Sequence, residues 1–183
     1  GKEGERNMIR EAAEFAERAH EGVYRKGTKI PYITHPMETA AIVTAFTNEP
    51  EMIAAALLHD VIEDAGVTKE ELEEKFGSRV AFLVESESED KSRSWMERKG
   101  TTVEHLKSAT RDEKILALAD KLSNIRSTVR DYLVLGDEVW QRFNQKDKEM
   151  QGWYYKGVAE ALKEFKGHIY YEEYLMLCKK IFG

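Results

Sequence analysis

The stretch Ala54-Ala-Ala-Leu-Leu-His-Asp-Val-Ile-Glu-Asp64 sets one imidazole and three carboxylates into an otherwise apolar run. Read as one helix, it puts His59 above Glu63 and Asp60 above Asp64, each pair at i,i+4 on neighbouring stripes. Unpaired buried charge is costly, so such a helix asks for a partner, and a divalent cation is the simplest one. His59 and Asp60 then act as ligands, while Glu63 and Asp64, one turn on, are placed to handle a water. The competing reading is a helix end with solvated carboxylates, because Gly66 stands where a helix commonly closes.

Two further positions extend the pattern. His35, in Tyr-Ile-Thr-His-Pro, stands where a loop meets a helix, although a histidine there can equally cap a turn. Asp120, in Leu-Ala-Leu-Ala-Asp-Lys-Leu-Ser-Asn124, lies mid-helix among small apolar residues, where aspartate has poor propensity and needs a partner. Lys121 is about 100° away around the helix and cannot share its stripe, whereas Asn124 at i+4 does. His35, His59, Asp60 and Asp120 together make an N₂O₂ set with positions open for water and substrate. Such a set suits a catalytic Mn²⁺, Fe²⁺ or Zn²⁺, and hard carboxylates without thiolates lean toward Mn²⁺.

The elements that must position these groups are helices. Only three prolines interrupt a chain whose apolar residues recur at helical spacing almost throughout. A helix over residues 7–21 carries Ile9, Ala12, Ala13, Ala16 and Ala19 on one face. A polar loop with Arg25, Lys26, Gly27 and Pro31 follows, then a helix from Pro36 to Thr47 and the central helix to Asp64. Thr68-Lys-Glu-Glu71 is a capping box, and Ser78 is expected to cap the next helix. Residues 85–94 read as a polar loop without core residues. Helices over 101–108 and 112–134 follow, the second with Ile115, Leu116, Leu118, Ala119, Leu122, Ile125 and Val129 as its apolar face. Trp140 and Trp153-Tyr-Tyr155 are expected to pack in a core.

Composition narrows the class. The 183 residues are 34% charged and 42% apolar, an ordinary globular balance, and no repeat or linker divides residues 7–183. A formal charge of −6 argues against broad nucleic-acid binding, yet a cation and a local basic cluster can still draw an anionic substrate into one cleft. Cys178 is the only cysteine, so neither an intrachain disulfide nor a thiolate zinc site is expected. No apolar run approaches the ~18 residues of a membrane span and no signal pattern opens the chain, which makes the cytoplasm the expected location. The opening Gly-Lys-Glu-Gly-Glu-Arg is expected to fray or to be an expression remnant.

His35, His59-Asp60 and Asp120 resemble the H…HD…D signature of the HD-domain metal-dependent phosphohydrolases. Arg25-Lys26, Pro31-Tyr-Ile-Thr-His-Pro36, Leu57-Leu-His-Asp-Val-Ile-Glu-Asp64, Glu97-Arg-Lys99 and Ala119-Asp-Lys-Leu-Ser-Asn124 are similar to words of the (p)ppGpp hydrolases. That group includes the hydrolase half of the RelA/SpoT enzymes and the stand-alone small alarmone hydrolases. The likeness runs from about Ala12 to Asn124. It implies a single all-α HD-domain helical bundle, with Mn²⁺ held by His35, His59, Asp60 and Asp120, and Glu63 and Asp64 activating water. It further implies Arg25 and Lys26 as nucleotide contacts, and Asn124 and Ser127 near the ribose and phosphates. A solvated loop is the plainer reading of Arg25-Lys26 taken alone.

Two features depart from the pattern. The loop between Lys26 and His35 is one residue longer than in many long-chain relatives, and Trp95 stands where many carry a lysine. The expected activity is metal-dependent hydrolysis of guanosine 3′,5′-bis(diphosphate) to GDP and pyrophosphate, on a small-molecule nucleotide with no nucleic-acid or membrane partner. One competing reading is an HD hydrolase of another phosphorylated nucleotide, such as a nucleoside phosphate or NADPH. The other is a non-catalytic helical module that binds a nucleotide or a protein, against which the water-handling pair speaks.

Overall fold

A computed structural model describes residues 2–183, and its regular elements are helical throughout the described chain. They are α1 (Lys2–Ala19), α2 (Thr34–Val43), α3 (Pro50–Leu58), α4 (Val61–Ala65), α5 (Lys69–Phe76), α6 (Ser78–Ser86), α7 (Trp95–Ser108), α8 (Arg111–Leu135), α9 (Lys148–Ala161) and α10 (Ile169–Phe182). Short 3₁₀ turns over Gly136–Arg142 and Lys163–Phe165 flank α9. Among the described residues, no helix is long and apolar enough to cross a membrane. The chain forms two compact units: residues up to Ser88 with Arg111–Asp120, and Glu89–Thr110 with Lys121–Gly183.

The first unit is built around α3. Met52, Ala54, Ala55, Ala56 and Leu58 are fully buried, so this helix is apolar on all sides, as a central helix must be. α1, α2 and α6 pack around it. The alanines let their backbones come close, and Ala12 and Ala16 of α1 are likewise buried. Pro50 opens α3 in its first turn, where its missing N–H costs nothing. At the rim, Arg79 of α6 donates to Glu49 just before α3 (2.6 Å) and to Asp112 of α8 (2.7 Å).

The second unit is aromatic. α9 lies between α7 and α10. Tyr171 and Tyr174 of α10 donate to the Ala159 and Tyr155 carbonyls at 2.6 and 2.7 Å. Gly157 allows close approach, since a Cβ there would meet Val103 of α7 at 3.3 Å. Trp140 and Tyr154 are buried, as expected of core aromatics, but Trp153 is exposed. Burial pushes the Cys178 thiol up to about 12, which leaves it an inert core group.

Several elements differ from the sequence expectation. α1 begins at Lys2 rather than Asn7, so the opening residues that were expected to fray are helical from Lys2 on, and Gly1 lies outside the described residues. α6 starts at Ser78 itself, preceded by Gly77 at φ 92°, so Ser78 does not cap it. α7 starts six residues earlier than the expected Thr101, because Ser94 accepts from the Glu97 N–H and caps it. The acidic run is not a plain solvated loop. Glu89 is only 13% exposed, accepts from Lys99 (2.8 Å) and Thr102 (2.7 Å), and lies 3.7 Å from Arg98. Ion pairing to α7 gives that carboxylate a reason to be buried which charge counting along the sequence does not reveal.

Candidate metal centre

The central helix does not run through His59. α3 ends at Leu58 and α4 begins at Val61, with Asp60 at φ −102° and ψ −3° between them. On a regular helix, consecutive side chains point about 100° apart. The break removes that constraint and lets His59 and Asp60 face one point. The Asp64 N–H still bonds to the Asp60 carbonyl at 2.9 Å, so α4 restarts at once, and Gly66 closes it at φ 65°. His35 lies in the first turn of α2 rather than in a loop, since α2 starts at Thr34 and not at Pro36. Thr39 Oγ1 donates to the His35 carbonyl (2.9 Å) and ties that turn down.

These elements bring all four expected ligands together. His35 Nε2 lies 3.1 Å from His59 Nε2 and 3.0 Å from Asp120 Oδ1. His59 Nε2 lies 3.3 Å from Asp120 Oδ1 and 3.1 Å from Asp60 Oδ2, which is 3.6 Å from His35 Nε2. Donors about 2.0–2.2 Å from one ion, at angles between 90° and tetrahedral, stand about 2.8–3.6 Å apart. All five separations fall in that window. His59 Nδ1 lies 2.6 Å from the Ala56 carbonyl, which selects the tautomer whose Nε2 lone pair faces the group. Two imidazoles and two carboxylates this close together make a donor set that a cation would satisfy. The donor set therefore fits a divalent metal, and His35, His59 and Asp120 are buried around its place.

The electrostatics agree. Burial pushes His59 down, but the carboxylates of Asp60 and Asp120 outweigh it and hold the ring well above its ordinary value. Burial keeps His35 below its own. For Asp60, burial acts upward and is overcome by the His59 charge, so its carboxyl sits below the usual range. Positive charge is thus favoured at His59, and a cation held by these side chains would supply it in place of a proton.

Sequence reasoning passed over two neighbours. Tyr32 closes the turn over residues 23–32, where its N–H bonds to the Val23 carbonyl (2.8 Å), and its hydroxyl donates to Asp60 Oδ2 at 2.6 Å. His20 is buried just past the end of α1, its ring 4.8 Å from that of Tyr32. The stripe Ala12, Ala16, His20 at i,i+4 was the available signal for the second.

The remaining expected residues lie on α4, in the 23–32 turn and on α8. Glu63 is half-buried and Asp64 exposed on α4. Arg25 and Lys26 sit in the turn that ends at Tyr32, which the Arg25 N–H braces by bonding to the Ile30 carbonyl (2.9 Å). Asn124 and Ser127 follow Asp120 along α8, where Ser127 is buried and accepts from Arg130 at 3.1 Å. Trp95 packs on Trp153 and Tyr154, and the Nζ atoms of Lys99 and Lys121 lie 5.0 and 5.6 Å from the Tyr154 ring centre.

The HD-domain profile matches residues 12–146, which span the whole donor set. The chain belongs to the HD-domain family. It is 36% identical over 163 residues to the guanosine-3′,5′-bis(diphosphate) 3′-pyrophosphohydrolase MESH1 of Xenopus tropicalis, covering 87% of this chain and 86% of that one. A guanosine-3′,5′-bis(diphosphate) 3′-pyrophosphohydrolase of Haemophilus influenzae is 39% identical over 119 residues, which cover 62% of this chain and 17% of that protein. Among solved structures, a metazoan ortholog of SpoT that hydrolyzes ppGpp and plays a role in starvation responses superposes with a TM-score of 0.79. It is 26% identical, with 94% of each chain covered. The protein lmo0812 of Listeria monocytogenes EGD-e superposes at 0.75 with 34% identity, covering 81% of this HD domain chain and 98% of its own.

Proposed function

We propose that this HD-domain protein hydrolyses guanosine 3′,5′-bis(diphosphate) at its 3′ position, giving GDP and pyrophosphate. The observation that carries the reading is the convergence of His35, His59, Asp60 and Asp120 in a chain 36% identical, over most of its length, to a hydrolase of that name. Residues 7–183 act as one functional HD-type domain. The four side chains hold a divalent cation, for which Mn²⁺ is the choice because the donors are imidazoles and hard carboxylates with no thiolate. When bound, such an ion polarises a phosphoryl oxygen and makes water a stronger acid.

The protein's own groups do the rest. His59 is held in one tautomer by the Ala56 carbonyl, and Asp60 is held in one rotamer by Tyr32. Glu63 and Asp64 orient the attacking water and take its proton as its oxygen bonds to the phosphorus attached at O3′. The bond from that phosphorus to O3′ breaks, pyrophosphate leaves, and O3′ gains a proton. Arg25 and Lys26 offer charge-assisted hydrogen bonds to phosphate, which an acidic protein needs locally. The roles of Asn124 and Ser127 near the ribose and phosphates rest on the family resemblance alone.

A second reading, an HD hydrolase of another phosphorylated nucleotide, is favoured by Trp95, an aromatic where many relatives carry lysine. The test is phosphate and pyrophosphate release with Mn²⁺ over ppGpp, GDP, GTP and NADPH. Pyrophosphate from ppGpp alone is the expected outcome. Turnover of one of the others with ppGpp untouched would transfer the assignment to that nucleotide.

Tyr32→Phe removes one hydroxyl and leaves the ring packing in place. Loss of an outer hydrogen bond to a metal ligand is expected to weaken Mn²⁺ binding by about 10–100-fold. Calorimetric titration measures it, and unchanged affinity would reduce Tyr32 to a packing residue of the 23–32 turn.

A further inference from the structure

His20 is 3% exposed and carries the one ring nitrogen among the described residues that is buried without a hydrogen-bond partner. Its Nδ1 lies 3.0 Å from the Ala16 carbonyl, one of the last acceptors of α1, so that nitrogen donates and the ring orientation is fixed. Nε2 therefore points away from α1. It lies 3.7 Å from Asp64 Oδ2, too long for a hydrogen bond but within ion-pair reach. The Tyr32 ring covers the imidazole at 4.8 Å, tilted by 38°, and the same tyrosine holds Asp60. α1 and α4 pack on each other here, so the approach joins two elements of the first unit.

Nδ1 serves the Ala16 carbonyl at the end of α1. The second nitrogen has no structural task in α1, yet an apolar residue of similar size would have filled the position without burying an unsatisfied atom. Burial pushes His20 down, but the Asp64 carboxylate, the Ala16 carbonyl and the Asp60 charge together lift it above its ordinary value. The Asp64 side chain is 34% exposed, and its carboxylate stands within ion-pair reach of the imidazole.

We infer that His20 is a positioning residue for Asp64, aiming its carboxylate at the water that the preceding subsection assigns to Glu63 and Asp64. The inference rests on that reading of Asp64. His20 does not touch substrate; it acts by limiting where a partly exposed carboxylate can point. Tyr32 stands between the two acids of the site, covering His20 with its ring and holding Asp60 with its hydroxyl. Orientation of the ligand and of the base are thereby tied to one side-chain layer.

The two nitrogens can be separated by substitution. The amide nitrogen of Asn falls near the place of Nδ1 and that of Gln near the place of Nε2. His20→Asn keeps the bond to Ala16 and loses the Asp64 partner, while His20→Gln does the reverse. In the Mn²⁺-loaded protein, His20→Asn is expected to lower kcat for ppGpp by about 10–100-fold, the range for an outer positioning contact. KM and bound Mn²⁺ should not change. His20→Gln should recover the greater part of kcat even where it melts earlier.

A second measurement needs no substrate: Tm of the metal-free His20→Asn, Asp64→Asn and double variants. Non-additive shifts are expected, since the two side chains are in contact. Equal kcat losses in the Asn and Gln variants, or additive Tm shifts, would overturn the pairing. If the unmutated protein leaves ppGpp intact, the proposed function fails by itself, and the Tm cycle still decides whether His20 holds Asp64.

Discussion

Asp120→Ala is expected to give a folded protein that binds no stoichiometric divalent metal and turns over no substrate. Asp120 is mid-helix and buried, and its Oδ1 stands 3.0 and 3.3 Å from the two Nε2 atoms of the site. It supplies one of the two negative charges in the donor set. Removing it leaves two imidazoles and Asp60, a set with weaker attraction for a dication. Lewis-acid stabilisation is worth several kcal/mol, so turnover should fall by on the order of 10³-fold or more. The fold should survive, because alanine is the best helix former and α8 keeps Leu116, Leu118, Leu122 and Ile125 fully buried. Elemental analysis, circular dichroism and a turnover assay check the three parts. Asp120→Asn separates charge from shape: it too should lose metal, while its Tm stays nearer that of the unmutated protein. Full metal content and activity in either variant would remove Asp120 from the ligand set.

The cluster of His35, His59, Asp60 and Asp120 was legible in the sequence because each member broke a local rule. Asp120 offends helix propensity, His59 and Asp60 interrupt an alanine-rich apolar run, and His35 precedes a proline. Such offences mark places where a residue type is kept for its chemistry. The all-helical fold was legible for the opposite reason, since the apolar face of α8 obeys its period from Ile115 to Val129 and every residue named on that face is buried.

What stayed hidden was set by tertiary context. The break between α3 and α4 has no glycine or proline to announce it. The histidine–aspartate pair occupies helix-compatible positions, and the turn between them appears only where the two side chains meet His35 and Asp120. Glu89 reads as one more acid in a polar run, because its partners Lys99 and Thr102 lie on the next helix. Tyr32 lies three residues before His35, and its hydroxyl reaches Asp60 through the fold of residues 23–32 back on themselves. His20 ends an alanine stripe and passes for a helix cap until the position of Asp64 is known.

Changing Glu63 to Gln and Asp64 to Asn should leave metal and nucleotide binding in place and remove the chemistry. Both acids lie on α4, just past His59 and Asp60, and neither is in the buried group of His35, His59 and Asp120. The substitutions keep size and hydrogen-bonding reach but abolish the carboxylate that accepts a proton. A positioned base contributes about 10²–10⁴-fold, so kcat of the double variant should drop by on the order of 10²-fold or more with KM little changed. Stability should fall only modestly: dipole compensation in a first helical turn is worth about 0.3–1 kcal/mol for each acid, and Asp64→Asn further weakens its ion pair with His20. Comparing the single variants then ranks them. Asp64→Asn keeps an oxygen that His20 can still reach, so a larger loss from Asp64→Asn than from Glu63→Gln would make Asp64 the proton acceptor and Glu63 its helper. Loss of affinity with kcat intact at saturation would instead show that the pair binds substrate or metal, and the water would need another base.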